Sequence, residues 1–365
     1  MKSTRAIRFF TILSITIVAI SAIATFGLGR ITASINRVDA FSGLGNRPGK
    51  SSSAVNYLLV GSDTREGLTK AQLKELRVGS VKTAAGKRSD TMLLVHISKK
   101  RDKAVLISIP RDTFAHIPSY TDSSGKVHAS VYSKINSSFN WGGAPLLIQT
   151  IEEMTTLRID HYVEVNFAGF AQMIDALGGI QVCSKVDIND PKSHLVMSAG
   201  VHTLDGIEAL KYVRTRDFDG MGDLGRMQRQ QQFMSAVLRK ATSAGVLLNP
   251  IKLVSFLNSA LASVTTDEAL NKGDLLTLGK QLRNLSAAKV RTLTVPLKFY
   301  NYSANGVTSA VLWDPVLAPE LWQRLKEDQA IIDEVKPSAS PSASPEVVDK
   351  FKTRTAEENP CGSLK

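Results

Sequence analysis

Val55–Arg65 reads VNYLLVGSDTR, an apolar, β-branched run that passes straight into a charged turn. A run of this length, closed by a turn signal, predicts a buried strand over Val55–Gly61. Thr91–Ile97 (TMLLVHI) and Ala104–Ile109 (AVLISI) repeat the pattern. Helical spacing begins after a Gly-Gly-Ala-Pro opening: over Ala144–Met154, Leu146, Leu147, Thr150, Ile151 and Met154 fall on one side. Further along, Tyr162–Val165 predicts a strand, Phe167–Leu177 a helix stopped by Gly178-Gly179, and Ile180–Cys183 another strand. Asp205–Tyr212 and Arg226–Lys240 predict two more helices. Strands and helices alternating in this way argue for an α/β fold, a central mixed β-sheet covered by helices on both faces. The order of the strands is not readable from the pattern.

Working outward, the chain of 365 residues has a hydrophobic share of 43%, enough for a real core, and a formal net charge of +12. That balance suits nucleic acid, an anionic membrane surface or a phosphate-bearing substrate. The N-terminus chooses among them. Phe9–Gly29 contains no charged residue and follows Lys2, Arg5 and Arg8, so residues 9–29 are expected to form one transmembrane helix behind a cytoplasmic basic stub, 1–8. The competing reading is a cleaved signal peptide ending near Ala22-Ile23-Ala24. Either way the bulk of the chain faces outward from the cell membrane, and a cytoplasmic nucleic-acid role is disfavoured. Gly45, Pro48, Gly49 and Ser51-Ser52-Ser53 predict a flexible stalk over 30–54. A catalytic domain is expected over 55–330, a Pro/Ser/Ala linker over 331–347, and a short tail over 348–365.

The chemistry gathers at strand ends. Gly61-Ser62-Asp63-Thr64-Arg65, Arg88-Ser89-Asp90 and Pro110-Arg111-Asp112 each bring an Arg and an Asp to a strand junction. Ligands of α/β sheets bind beyond such ends, although any single Arg–Asp pair is as readily a surface salt bridge. The densest signal runs from Tyr212-Val213-Arg214-Thr215-Arg216-Asp217 to Asp223-Leu224-Gly225-Arg226 and Arg229-Gln230. In extended geometry Arg214 and Arg216 would share a side, and Asp223 would cap the next helix. Converging guanidinium forks near a helix N-terminus suit a pyrophosphate, with neighbouring carboxylates holding a divalent cation. The bland alternative is a solvated basic helix. The six histidines show no paired-ligand spacing and Ser62 no nucleophile elbow, so a zinc or Ser-His hydrolase is disfavoured.

Six motifs in order resemble the LytR–CpsA–Psr family: Asn56–Arg65 (NYLLVGSDTR), Arg88–Leu94 (RSDTMLL), Ser108–Thr113 (SIPRDT), Lys134–Asn140 (KINSSFN), Asp175–Val182 (DALGGIQV) and Leu204–Gln230. The resemblance implies a polyprenyl-pyrophosphate-linked glycan as donor, a peptidoglycan sugar hydroxyl as acceptor, and a hydrophobic groove for the lipid. It implies a need for magnesium, or manganese in its place, at Asp63 and Asp90. Arg65, Arg88, Arg111, Arg214, Arg216 and Arg226 match the family's catalytic and pyrophosphate-contacting positions; Lys134, Arg229 and Gln230 fall on the substrate side. The length of Asp217–Gly222 varies among relatives, which leaves the partners of Asp217 and Asp219 open. Competing functions are a lipid-pyrophosphate pyrophosphatase, a non-catalytic wall-polymer binding module and a transcriptional attenuator, the last without a visible helix-turn-helix. Which glycan is transferred is not legible.

Cys183 and Cys361 are the chain's two cysteines. An outward-facing domain puts both in an oxidising compartment, so a disulfide tying the tail to the domain is expected, against the alternative of two free thiols. The tail itself resembles the endings of actinobacterial relatives.

Overall fold

The computed structural model describes residues 36–78, 89–122, 124–216, 220, 222–243, 264–271, 274, 285–335, 346–358 and 361. Along the chain these form β1 (Asn36–Val38), β2 (Val55–Ser62), α1 (Lys70–Leu76), β3 (Ser89–Ile97), β4 (Ala104–Ile109), β5 (Phe114–Ile117), β6 (Tyr120–Thr121), β7 (Val127–His128) and β8 (Val131–Lys134). Then come α2 (Asn136–Thr155), β9 (His161–Val165), α3 (Phe167–Ala176), β10 (Ile180–Ser184), β11 (Ile188–Asp190), β12 (Leu195–Met197), β13 (Gly200–Leu204), α4 (Gly206–Arg214) and α5 (Gly222–Ser243). The last group is β14 (Val264–Asp267), β15 (Val290–Thr294), β16 (Leu297–Ala304), β17 (Val307–Trp313), α6 (Leu317–Lys326), β18 (Asp333–Val335), β19 (Glu346–Val348) and β20 (Arg354–Thr355).

An eight-stranded sheet in the order β1-β14-β9-β2-β3-β4-β15-β20 organises the molecule. It is mixed: β2 runs parallel to β9 and β4 parallel to β15, whereas β3 is antiparallel to both of its neighbours. Strand alternation divides its side chains between two faces. Leu58, Val60, Leu94, Ile107 and Leu293 pack with Phe139, Leu147 and Ile151 of α2 and with Leu321, Trp322 and Leu325 of α6. Tyr57, Leu59, Leu93, Val95 and Leu106 face the other way, against Met234 and Leu238 of α5. Both faces are therefore covered by helices. A second, smaller core gathers Ile174 of α3, Ile180 and Val182 of β10, Leu204, Tyr212 of α4 and Phe233 of α5.

Three expectations change. The stretch taken as a stalk over 30–54 is packed from Asn36 onward: β1 pairs with β14, Ala40 and Ala54 are buried, and Arg47 makes an ion pair of 2.6 Å with buried Glu152. The tail likewise docks, with Phe351 in the main core, β20 at the sheet edge and β18 paired with β19 across the Pro/Ser tract. Both segments are held by backbone pairing and a few anchors, which leave no apolar period to read. Finally, α2 starts at Asn136 rather than Ala144, because two helical pieces meet at a kink where Gly143 has φ of 64° and Pro145 opens the second. Among the described residues no helix is long and apolar enough to cross a membrane; the expected stub and span over 1–29 lie outside them.

Candidate functional site

Register places the charged loops together. β2 ends where β3 begins, Gly61 facing Thr91 and Ser62 facing Ser89, so Asp90 is the extra residue of a β-bulge. Bulges re-aim a side chain at sites of this kind. The carboxyl ends of β4, β9 and β15 lie along the same edge, since β9 is parallel to β2 and β15 to β4. Asp63 and Arg65 thus leave the sheet beside the bulge at Asp90, and Arg111 and Asp112 leave it after β4. Arg88 and the side chain of Asp90 lie outside the described residues, as do Asp217 and Asp219.

α5 brings its N-terminal turns to that edge. Gln231 donates to Ser108 Oγ at 3.2 Å and to Thr294 Oγ1 at 2.8 Å, which pins the helix over the ends of β4 and β15. Met234 and Leu238 follow onto the sheet face, so Arg226, about 7.5 Å up the axis from Gln231 at 1.5 Å per residue, stands at the rim. Arg226 is 2% exposed and Arg229 6%, an unusual burial for guanidinium groups. Burying such charge is costly unless opposite charge and hydrogen bonds compensate it.

The Arg214–Arg216 segment is clamped from both sides. Arg229 Nη2 donates to Thr215 O at 2.7 Å, and Gln230 Nε2 to Val213 O at 3.2 Å. Buried Asp190 accepts from the Arg216 backbone N–H, while its other oxygen accepts from Lys192 N and Ser193 N at 2.8 and 2.7 Å. Arg214 ends α4 in helical geometry, not in the extended form expected, and its guanidinium lies 5.2 Å over the Phe167 ring. Phe167 opens α3 immediately after β9, which ties Arg214 to the same edge. The close approach of α3 to α4 that this requires depends on Gly206: a Cβ there would fall 2.2 Å from Ala171 O. Burial pushes the Tyr212 phenol up to about 12, the Arg229 charge opposing the shift only in part.

On the opposite flank, Asp112 is shared by two cations. Lys134 Nζ lies 3.3 Å from one carboxylate oxygen and Arg111 Nε 3.5 Å from the other. The loop is held by backbone bonds from Ile135 N to Thr113 O at 2.8 Å and from Asn136 N to Arg111 O at 3.2 Å.

Arg65, Arg111, Lys134, Arg214 and Arg226 therefore belong to one edge, supplied by separate elements. Arg229 and Gln230, expected on the substrate side, spend the hydrogen bonds described above on holding the Arg214–Arg216 segment. Asp223, expected as a cap, falls inside α5, which begins at Gly222. Sequence reasoning missed Asp190 and Gln231; the Asp190-Pro191 turn signal marks the first, and nothing local marks the second. Cys183 and Cys361 are joined as a disulfide with Cα atoms 5.9 Å apart. Next to it lies a cavity of about 560 Å³, lined in part by Val186, Ile188, Gln232, Arg354 and Glu358. Gly225, Gln228 and Arg229 of α5 line it as well. Among the described residues no group of three or more His, Cys, Asp or Glu gathers that would hold a metal ion.

Comparison with known proteins adds independent findings. The model of the LytR_cpsA_psr family matches residues 29–327. The probable cell wall biosynthesis protein LcpB of Corynebacterium glutamicum is 36% identical over 80% of this chain, and the match covers 65% of that protein's length. The polyisoprenyl-teichoic acid–peptidoglycan teichoic acid transferase TagU of Oceanobacillus iheyensis is 33% identical over 73% of each chain. A solved structure of TagT bound to LIIa-WTA superposes with a TM-score of 0.56 at 26% identity, covering 80% of this chain and 99% of that one.

Proposed function

The chain belongs to the LytR–CpsA–Psr family, and from that premise we propose that it transfers a glycan from a polyprenyl-pyrophosphate carrier to a sugar hydroxyl of peptidoglycan, outside the membrane that holds its N-terminus. The observation that carries this reading is the supply of Arg65, Arg111, Arg214 and Arg226 to one sheet edge by four separate elements. Several guanidinium forks facing one place match the oxygens of a pyrophosphate better than a single carboxylate. The names of the relatives support a wall glycopolymer as the cargo and peptidoglycan as its destination.

In the reaction the acceptor hydroxyl oxygen attacks the phosphorus nearest the glycan. A new phosphodiester bond forms, the bond to the bridging oxygen breaks, and polyprenyl phosphate leaves with the electron pair. Negative charge spreads over the phosphoryl oxygens in the transition state, so positioning and electrostatic stabilisation dominate. Arg226, buried at the head of α5, is set in advance and pays little reorganisation. The hydroxyl proton passes to a carboxylate at the same edge, Asp63 or Asp90. Asp112 is already engaged by Lys134 and Arg111.

In this reading Asp63 and Asp90 would hold magnesium, an ion that takes one or two carboxylates and completes its shell with phosphate oxygens and water. When bound, the ion would neutralise charge on the phosphoryl oxygens.

Purified protein, lipid-pyrophosphoryl glycan and glycan-strand acceptor provide the test. Arg226→Ala and Arg216→Ala are each expected to lower transfer by about 10²–10³-fold, as loss of one preorganised charge-stabilising donor does. Full turnover by both folded variants would remove the assignment. Release of polyprenyl phosphate without acceptor dependence would instead make the chain a pyrophosphatase.

A further inference from the structure

The flank carrying Asp112 and Lys134 continues into a surface strip of aromatic rings that the chemistry above does not use. β5 starts two residues after Asp112, and its pairing with β8 sets Phe114 opposite Lys134 and His116 opposite Tyr132. By strand alternation these four share one face, while Ala115 and Ile117 on the other face are buried in the core. Phe114 and Tyr132 stack at 5.2 Å with their planes 8° apart, His116 tilts against Tyr132 at 5.1 Å, and Tyr302 of β16 meets Phe114 edge-on at 5.2 Å. Beyond the strand pair, Tyr120 is sandwiched between His128 at 4.8 Å and Trp141 at 6.0 Å, all three nearly parallel. Tyr132 is 43% exposed.

We propose that this strip is the docking surface for the acceptor glycan, a reading that rests on the transfer reaction proposed above. A pyranose ring has an apolar C–H face and a rim of hydroxyls. Flat, half-exposed rings with polar tips offer that face a stacking surface and its rim hydrogen bonds. Lys134 is engaged with Asp112, and His128 with Asp122 at 2.8 Å, so the stacked rings themselves suit a neutral sugar strand better than a phosphate polymer. Its position favours the acceptor over the donor. The pyrophosphate of the donor belongs among the arginines, and a strand stacked on Tyr132 and Phe114 runs toward Asp112, on the side from which a hydroxyl would approach.

Two measurements test this with Tyr132→Ala, Trp141→Ala and the ring-retaining Tyr132→Phe. In transfer assays Tyr132→Ala should raise the KM for peptide-free peptidoglycan glycan strands about tenfold, the equivalent of one aromatic stack. The donor KM should not move, and Tyr132→Phe should restore most of the acceptor affinity. In co-sedimentation with the same strands, Tyr132→Ala combined with Trp141→Ala should lose binding. An unchanged acceptor KM, a raised donor KM, or loss of binding to phosphatidylglycerol vesicles in place of glycan would each overturn the proposal. Co-sedimentation requires no turnover. A wild-type protein that fails to transfer but binds strands through Tyr132 would therefore sink the reaction and leave the docking surface standing. Transfer by the wild type with an unaffected Tyr132→Ala would do the reverse.

Discussion

The main core and the smaller core beside it are held by different means. Leu58, Leu94, Ile107 and Leu147 of the main core are all fully buried, and each lies in an apolar run that packs sheet against helix. The smaller core, between α3, β10–β13, α4 and α5, has fewer such side chains and borders a layer of buried charge: Asp190, Arg226 and Arg229. It is joined to the tail by Cys183–Cys361, and Arg239 of α5 reaches Ala356 O at 2.6 Å. Hydrophobic burial is nondirectional and accumulates with area, whereas buried ions stabilise little unless every donor is met. The region that carries the arginines has therefore given up packing for charge and relies on covalent and hydrogen-bonded ties.

The disulfide offers the strongest way to break that contrast. Cys361→Ser is expected to cost about 2–5 kcal/mol, the usual penalty for a long closed loop. Hydrogen exchange should quicken in β10–β13, α4 and the tail while β2, β3 and β4 keep their protection. Equal loss of protection in both cores would show that they unfold as one unit and that the distinction has no energetic content.

A smaller perturbation sharpens the same point. Arg229→Met keeps the length of the side chain but removes its bond to Thr215 O. A hydrogen bond from a charged group contributes about 1.5–3 kcal/mol, so the melting temperature should fall by a matching amount. Transfer should fall about 10²-fold as Arg214 and Arg216 lose their fixed positions. Full activity at reduced stability would mean that Arg229 supports the fold alone.

The smallest effect is expected on the main sheet, at Asp267. Burial alone would raise its carboxyl, but His161 and the backbone N–H groups of Tyr162 and Leu270 hold it below its ordinary value of 3.8. With the folded value lowered, its contribution is complete above pH 3.8 and fades as pH falls below that. Asp267→Asn should cost about 1–2 kcal/mol at neutral pH, and the gap to the wild type should close below pH 3.8. Chemical denaturation at stepped pH measures both; a gap that widens on acidification would contradict the assignment.

The legible part of the molecule follows the same division. β2, β3, β4 and α3 appear within a residue or two of their expected bounds, because burial on both faces of a sheet imposes apolar runs that local sequence displays. β1 and β20 were missed: a three-residue and a two-residue edge strand pair through backbone groups and carry no pattern. At the site, the residue types were readable as Arg-Asp strand junctions, but their division of labour was not. Arg229 and Gln230 look like ligand contacts in sequence, and only the fold shows that each also donates to a backbone carbonyl, of Thr215 and of Val213. Asp190 gave only a turn signal, and its bond to the Arg216 N–H spans 26 residues of chain.

By itself, then, the sequence determined β2, β3, β4 and α3, the family, and the Arg-Asp pairing of residue types at the strand junctions, but not β15 or α6 of the main core. These follow from local periodicity and from motifs short enough to be read without knowing what they touch. Tertiary structure alone decided the strand order, the packing of residues 36–54 and of the tail onto the body, and which arginines are clamps. It also brought Tyr132 and Tyr302 against Phe114, and Trp141 against Tyr120, from separate segments. The reason is physical: hydrogen bonds, ring contacts and the Cys183–Cys361 bridge form between residues far apart in the chain, and no local pattern encodes a partner that folding has yet to deliver.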